Sequence, residues 1–384
     1  MKNYLLLAFS LLLFSCGEKD GEKQADFSNI TFQIDTVIVD PGNEIINLRY
    51  GLWNSVLNNS HSKLFLFDNQ AYTLDIIDLD QLILERKVKF EKEGPNGVGS
   101  FVSWMGLCDD NRILLASFEG MGLFDLDANK LMTYKLEKDK FEGDSLLDGE
   151  NFYRKSILAE NGDVIYGLLG NWADEIESFA KIDFKNGLIN KLELPGRSEL
   201  PDYSVMLRTD NMVSIMASDK SVKKFENKLI LSSSAYSTLF IIDIEKDSAY
   251  MVDYTPVLTS KAKKGGYPSE VDSEKRFKEV MEDIYAEINF QAPIWDPKNR
   301  RFYRFSYETI PTGNTDGPLF EDSEKKPIAK IYISIFDENF NLLGESLVSQ
   351  IQGIPNTPFV KDGLIWSYVN VDDELGFLRM EIKY

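Results

Sequence analysis

Residues Phe359–Tyr384 read "FVKDGLIWSYVNVDDELGFLRMEIKY", and this ending decides the fold because it stops one strand short. A first β-prone run, Thr357 to Val360, meets the turn "VKDG", followed by a second run, Leu364 to Asn370, and a third, Leu375 to Tyr384. The same run-turn-run pattern occurs six times along the chain. The other turns are "NNSHSK" (58–63), "CDDNR" (108–112), "ENGD" (160–163), "FENK" (225–228) and "DPKNRR" (296–301). Asn, Asp and Gly suit such places because they tolerate left-handed backbone and bond their own main chain. The second runs, "LFLFD", "ILLASF", "VIYGLL", "LILSSS", "FYRFSY" and "LIWSYV", are nearly continuous in apolar or β-prone residues, as strands covered on both faces must be.

Most units continue into a third strand that ends in an acidic turn, such as "LDIIDLD" or "LFIIDIEKD", and then a fourth, such as "ILERKVKF". A four-stranded antiparallel meander repeated in this way is a β-propeller blade. The last unit lacks its fourth strand, while the chain starts with an unassigned one, "FQIDTVIVD", Phe32 to Asp40. Joining the two removes a bare sheet edge that would otherwise recruit another chain. The expectation is therefore an all-β, six-bladed β-propeller over residues 31–384, closed by its N-terminal strand. Seven blades is the competing count. Second runs start 49, 51, 65, 73 and 62 residues apart, more than the ~40–45 of compact blades, so the excess is expected in loops. Two insertions stand out. Ser269–Ile288 carries Val271, Phe277, Val280, Met281, Ile284 and Ile288 at helical spacing and predicts one amphipathic helix. Ile310–Pro327, rich in Gly, Pro and charge, predicts a surface flap.

The N-terminus locates the protein. A short basic start and the apolar run Leu5 to Leu13 make a signal peptide over residues 1–15, too short for the ~20 residues of a spanning helix. Leu13-Phe14-Ser15-Cys16 resembles a bacterial lipobox, which makes Cys16 the acylated residue and 16–30 a polar tether. The only other thiol, Cys108, then has no disulfide partner and is expected as a small buried apolar residue. A formal charge of −20 repels phosphate backbones and so argues against nucleic-acid binding. Asp35-Thr36-Val37, Asp144-Ser145-Leu146 and Asp247-Ser248-Ala249 look like O-glycosylation acceptors of exported Bacteroidetes proteins.

With "PIWDPKNRRFYRFSY", the lipobox, the six units and the ending quoted above, the chain resembles a domain-of-unknown-function family of Bacteroidetes lipoproteins. That resemblance implies a six-bladed propeller of the TolB-like kind and brings no catalytic residues with it.

Several weak chemical signals fall away. His61 is the only histidine and sits in a turn, where a solvated role is expected, so histidine-based triads and metal sites are excluded. "DLDANK" at Asp125 begins like a calcium loop, but position six is Lys130 and position twelve Leu136. "EGPNGVG", Glu93–Gly99, lacks the Lys-Ser/Thr of a phosphate loop and reads as a connection between blades. What remains is the funnel mouth, where first strands begin and second strands end. Trp53, Asn54, Glu119, Arg154, Asn171, Trp172, Glu308 and Asn370 fall there. They suit a non-enzymatic, monomeric scaffold, lipid-anchored in the outer membrane, that binds an envelope protein, peptide or glycan without a cofactor. The alternative is a metal-assisted hydrolase, lactonase or lyase, with Glu119, Asn171 and Glu308 or Asn370 around Ca2+.

Overall fold

The computed structural model describes residues 27–137, 140–171, 177–201, 203–313 and 327–384. The signal segment, Cys16 and most of the predicted flap lie outside these residues. Seven sheets and one helix of thirteen residues make up the described fold. Sheet A contains Ser55–Leu57, Lys63–Asp68, Thr73–Asp78 and Ile83–Lys89 in antiparallel sequence order. Sheet B repeats the pattern with Val102–Asp109, Arg112–Ser117, Gly120–Asp125 and Lys130–Tyr134. Sheet C has Ile157–Leu158, Val164–Gly170, Glu177–Asp183 and Leu188–Leu192, with Glu142–Gly143 added in parallel at its outer edge. Sheet D comprises Lys220–Phe225, Lys228–Ser233, Leu239–Asp243 and Ser248–Val252. In sheet E two short pieces, Asn289–Phe290 and Ile294–Asp296, share the edge of Arg301–Thr309, followed by Ala329–Phe336 and Leu342–Leu347.

Sheet F answers the question its sequence posed. Asn356–Lys361, Leu364–Val371 and Glu374–Lys383 are completed by Thr31–Ile38, in unbroken register from Thr31 opposite Lys383 to Ile38 opposite Gly376. Across this seam Arg379 donates to both carboxylate oxygens of Asp35, at 2.8 and 2.5 Å.

The period of the pleat explains why the second strands are apolar throughout. In sheet A, Leu64 and Leu66 pack with Trp366 and Phe377 of sheet F, whereas Phe65 and Phe67 pack with Met105 and Ile113 of sheet B. Leu114 and Ala116 of sheet B turn to Ile165 and Leu169 of sheet C. Val164 and Tyr166 meet Leu229 and Leu231 of sheet D, and Ile230 meets Phe302 of sheet E. Tyr303 and Phe305 of sheet E meet Ile365 of sheet F. Each sheet therefore packs on the next in sequence, and sheet F packs on sheet A.

Several expectations are refined. The predicted helix is shorter, α1 spanning Glu274–Ala286. Glu270–Val271 instead pairs in parallel with Ser204–Arg208, which also pairs with Val213–Ala217 in a small sheet G. Phe277, Val280 and Ile284 bury the apolar stripe of α1 against Val205 and Leu207 of that sheet. The long spacing between the third and fourth units is thus partly structured, not only loop. Cys108 is 4% exposed on a sheet B strand, as expected. "DLDANK" is a strand-ending turn in which Asp125 Oδ1 accepts from the amides of Asp127 and Asn129. His61 corrects the expectation of a solvated turn. Its ring is half-buried edge-on against Phe359, and Nδ1 lies 2.5 Å from the Val360 carbonyl. Burial lowers its pKa, the Val360 contact opposing, with Lys223 and Lys361 adding to the fall.

Candidate functional site

Of the eight residues expected at the mouth, the seven that are described lie in or near strands of sheets A, B, C, E and F, and the structure gives them different roles. Asn54 is structural in part. Its Nδ2 donates to the Val102 carbonyl at 2.7 Å, joining sheet A to sheet B, while its Oδ1 is buried without a partner among the described residues. Glu119, in the turn between Ser117 and Gly120, accepts from the Ser100 hydroxyl at 2.6 Å and the Ser100 amide at 3.1 Å. These two bonds hold its pKa down at about 2, because they favour the charged carboxylate. The carboxylate pins the connection between sheets A and B. Glu308 lies inside its strand opposite Lys330 and accepts from the Tyr332 hydroxyl at 3.4 Å. Asn171 follows Val164–Gly170, with its amide against Gly149. Trp172 lies outside the described residues. Among the described residues, no three His, Cys, Asp or Glu side chains converge to hold a metal ion.

Arg154 belongs to a network that the sequence does not advertise. Its Nε donates to Glu177 Oε1 at 2.8 Å, and its guanidinium lies over the Tyr153 ring. The Tyr153 hydroxyl and Lys220 Nζ also donate to Glu177, whose carboxyl is 5% exposed. Burial opposes ionisation of Glu177, but the two cations and the tyrosine together lower its pKa. The network ties the start of sheet D to the strand Glu177–Asp183 of sheet C and to the segment that leads into the first strand of that sheet. Glu177 is 23 residues from Arg154 and 43 from Lys220, so no local motif could announce it.

A cleft of about 830 Å3 opens at the same end of the sheets. The segment Asn43–Arg49 covers one side, and Asp68, Gln70, Thr73, Asn370 and Asp373 line the other. Asn47 organises it: Nδ2 donates to Asp68 at 3.0 Å and Gln70 at 3.2 Å, while Oδ1 accepts from the Arg49 amide at 3.1 Å. Asn370 Oδ1 accepts from the Asp373 amide, and the same side chain also hydrogen-bonds Tyr368 at the wall. Trp53, 67% exposed, stands edge-on to Tyr50 at 6.5 Å, and the Arg49 guanidinium lies 5.5 Å above the Tyr50 ring. Ile45, which lines the cleft, is 83% exposed, and Phe118, 80% exposed, stacks on Phe101 at a turn of sheet B. Of the expected residues, Asn370 lines this cleft and Trp53 stands among the exposed rings near it. Asn47, Gln70 and Tyr50 were missed, because nothing in a connection between strands marks which amides will converge.

The family model "Domain of unknown function (DUF4221)" matches residues 27–347. The chain belongs to this family. The crystal structure of a member of the same family from Bacteroides vulgatus superposes with a TM-score of 0.63 at 13% identity, covering 93% of this chain and 99% of that one. A Bacteroides fragilis protein described as exported superposes with a TM-score of 0.50 at 10% identity, covering 92% and 96%. At such identities the likeness concerns fold. No curated protein matches the chain. Among the described residues no helix is long and apolar enough to cross a membrane.

Proposed function

We propose that sheets A to F are six four-stranded blades of a closed β-propeller, and that this ring is a lipid-anchored binding scaffold of the cell envelope. The ring reading is supported by the cyclic packing order, in which sheet F meets sheet A and the first strand of the chain completes the last sheet. Sheet G and α1 form an appendage between blades, which favours six over seven. The anchor is Cys16, and the chain sits in the outer membrane; a fold likeness to a protein described as exported is consistent with that placement.

The single observation that carries the binding reading is the composition of the cleft end. Amides and a carboxylate converge at Asn47, Asp68, Gln70 and Asn370, beside solvent-exposed Tyr50 and Trp53. Folding ordinarily hides large rings, and a group left outside beside convergent hydrogen-bonding side chains marks a recognition surface. Amides satisfy hydroxyl or peptide groups, and indole and phenol faces cover their apolar sides. The ligand class is therefore a glycan or an extended peptide segment, free or within an envelope protein. Binding to glycan and peptide arrays tests this. Trp53→Ala and Asn47→Ala should each weaken the best binder by about tenfold, the effect of losing roughly 1.4 kcal/mol. Equal binding by both variants and the wild type would remove the cleft from consideration. Labelling with a radioactive fatty acid tests the anchor, since Cys16→Ser should abolish incorporation.

A further inference from the structure

The chain carries a formal charge of −20, and several of its enclosed cations are matched by carboxylates. Lys87 meets Asp75, Lys191 meets Glu150, Lys220 and Arg154 meet Glu177, and Lys361 meets Asp80 and Asp362. Buried Arg304 and Lys263 are answered by backbone carbonyls instead, while Lys155 and Lys223 stand apart as solvent-accessible cations with no carboxylate partner among the described residues. Lys155 precedes the first strand of sheet C, and its Nζ donates to the Ser55 carbonyl at 2.9 Å. Ser55 starts the first strand of sheet A, and sheet B lies between the two in sequence and packing. In a ring with the first strands innermost, a bond from C to A crosses the lumen.

Lys223 sits in the first strand of sheet D with no hydrogen-bonding or ionic partner among the described residues. Both lysines are exposed to solvent, yet protein surrounds both, the combination expected of side chains lining a water-filled channel. Their ammonium groups are close enough to repel each other. Lys223 is also near His61, whose ring is held at the other end of the first strands by Val360. Desolvation, together with the repulsion from Lys223, pushes the Lys155 pKa down to about 7. Like charges held together without a counter-charge raise the energy of the empty site and favour an anion that restores balance.

We propose that the lumen of the propeller binds a small oxyanion, a carboxylate or phosphate group, between Lys155 and Lys223. The ammonium groups supply charge-assisted donors, and the Ser55 carbonyl orients Lys155. The acidic outer surface disfavours anions elsewhere, so a single site stands out against a repelling background. This inference rests on the ring arrangement proposed above and is independent of what docks at the cleft.

Isothermal titration of the full chain in detergent, with inorganic phosphate and with succinate at constant chloride and ionic strength, tests it. Saturable binding of either anion with a Kd of about 1 mM is expected. Phosphate alone or succinate alone would name the class. Lys155→Met and Lys223→Met should each weaken binding by about tenfold or more, while Lys223→Arg, which keeps the charge, should retain it. Far-ultraviolet circular dichroism identifies any variant that has not folded, and Lys155→Gln and Lys223→Gln stand in for it. Absence of binding by the wild-type chain to either anion up to about 50 mM, some fifty times the expected Kd, overturns the proposal whatever the variants do. So does an unchanged Kd in a folded Lys155→Met/Lys223→Met variant. Glycan or peptide binding at the cleft is measured separately, and its loss leaves this result standing.

Discussion

Arg304 is the arginine with which the structure can be tested most severely. It is 1% exposed in the second strand of sheet E and has no carboxylate partner. All five of its N–H groups have acceptors: Nε donates to the Gln291 carbonyl, Nη1 to the Ser237 carbonyl and the Tyr254 hydroxyl, and Nη2 to the carbonyls of Ser233 and Tyr236. The guanidinium also lies 4.9 Å from the Phe290 ring centroid. Ser233, Tyr236 and Ser237 belong to a sheet D strand end and the turn after it, so this one side chain fastens sheet D to sheet E. Replacing it by methionine keeps most of the stem and strips the donors from four buried carbonyls. Each orphaned carbonyl costs about 1–3 kcal/mol, and release of a desolvated cation offsets part of the sum. A net loss of about 4 kcal/mol is expected, or roughly 5 °C in the midpoint of thermal unfolding for a domain of this size. Urea denaturation gives the free energy directly. Arg304→Lys, with three donors, should recover less than half. A loss below about 1 kcal/mol for Arg304→Met, within the range of an ordinary surface change, would refute the staple.

Removing Thr31–Ile38 should leave the edge of Glu374–Lys383 bare and drive the chain into aggregates or strand-swapped assemblies; a size-exclusion elution volume unchanged from the full chain contradicts the closure. Glu119, depressed to about 2, contributes stability that is complete above its unfolded value near 4.5 and lost as pH falls from there through 2. Glu119→Gln should therefore flatten the melting temperature against pH in that window, with a small amplitude because the carboxylate is solvent-exposed; an identical profile argues against the Ser100 tie. Cys108 donates to the Ala159 carbonyl at 3.3 Å, and burial raises its pKa. Its reaction with an aromatic disulfide reagent at pH 8 should track global unfolding in urea, and rapid labelling of the folded chain would show the contact between sheets B and C to be open.

The legible parts of this protein are the ones with short-range causes. Continuous burial in "LFLFD" and "FYRFSY" follows from strands covered on both sides, and turns such as "VKDG" and "ENGD" follow from residues that accept left-handed backbone, seen at Gly363 and Gly162. The helix was legible in kind but not in extent. Val271 and Ile288 share the spacing of Phe277, Val280 and Ile284, yet the start at Ser273 follows from Val271 being drawn into a strand beside Leu207. His61 was misjudged because a turn is solvated only if nothing lies opposite it, and Val360, 299 positions away, does.

From the linear chain alone came the all-β class, the repeated meander, the missing final strand and its donor at Phe32, because alternation, turn chemistry and strand count are properties of consecutive residues. The partners of Glu177, the five acceptors around Arg304, the amide cluster at Asn47 and the isolation of Lys155 and Lys223 came only from the folded chain. Those depend on which strand ends meet, and that is set by sheets packing face to face across dozens to hundreds of residues, a distance over which no pattern in the letters persists.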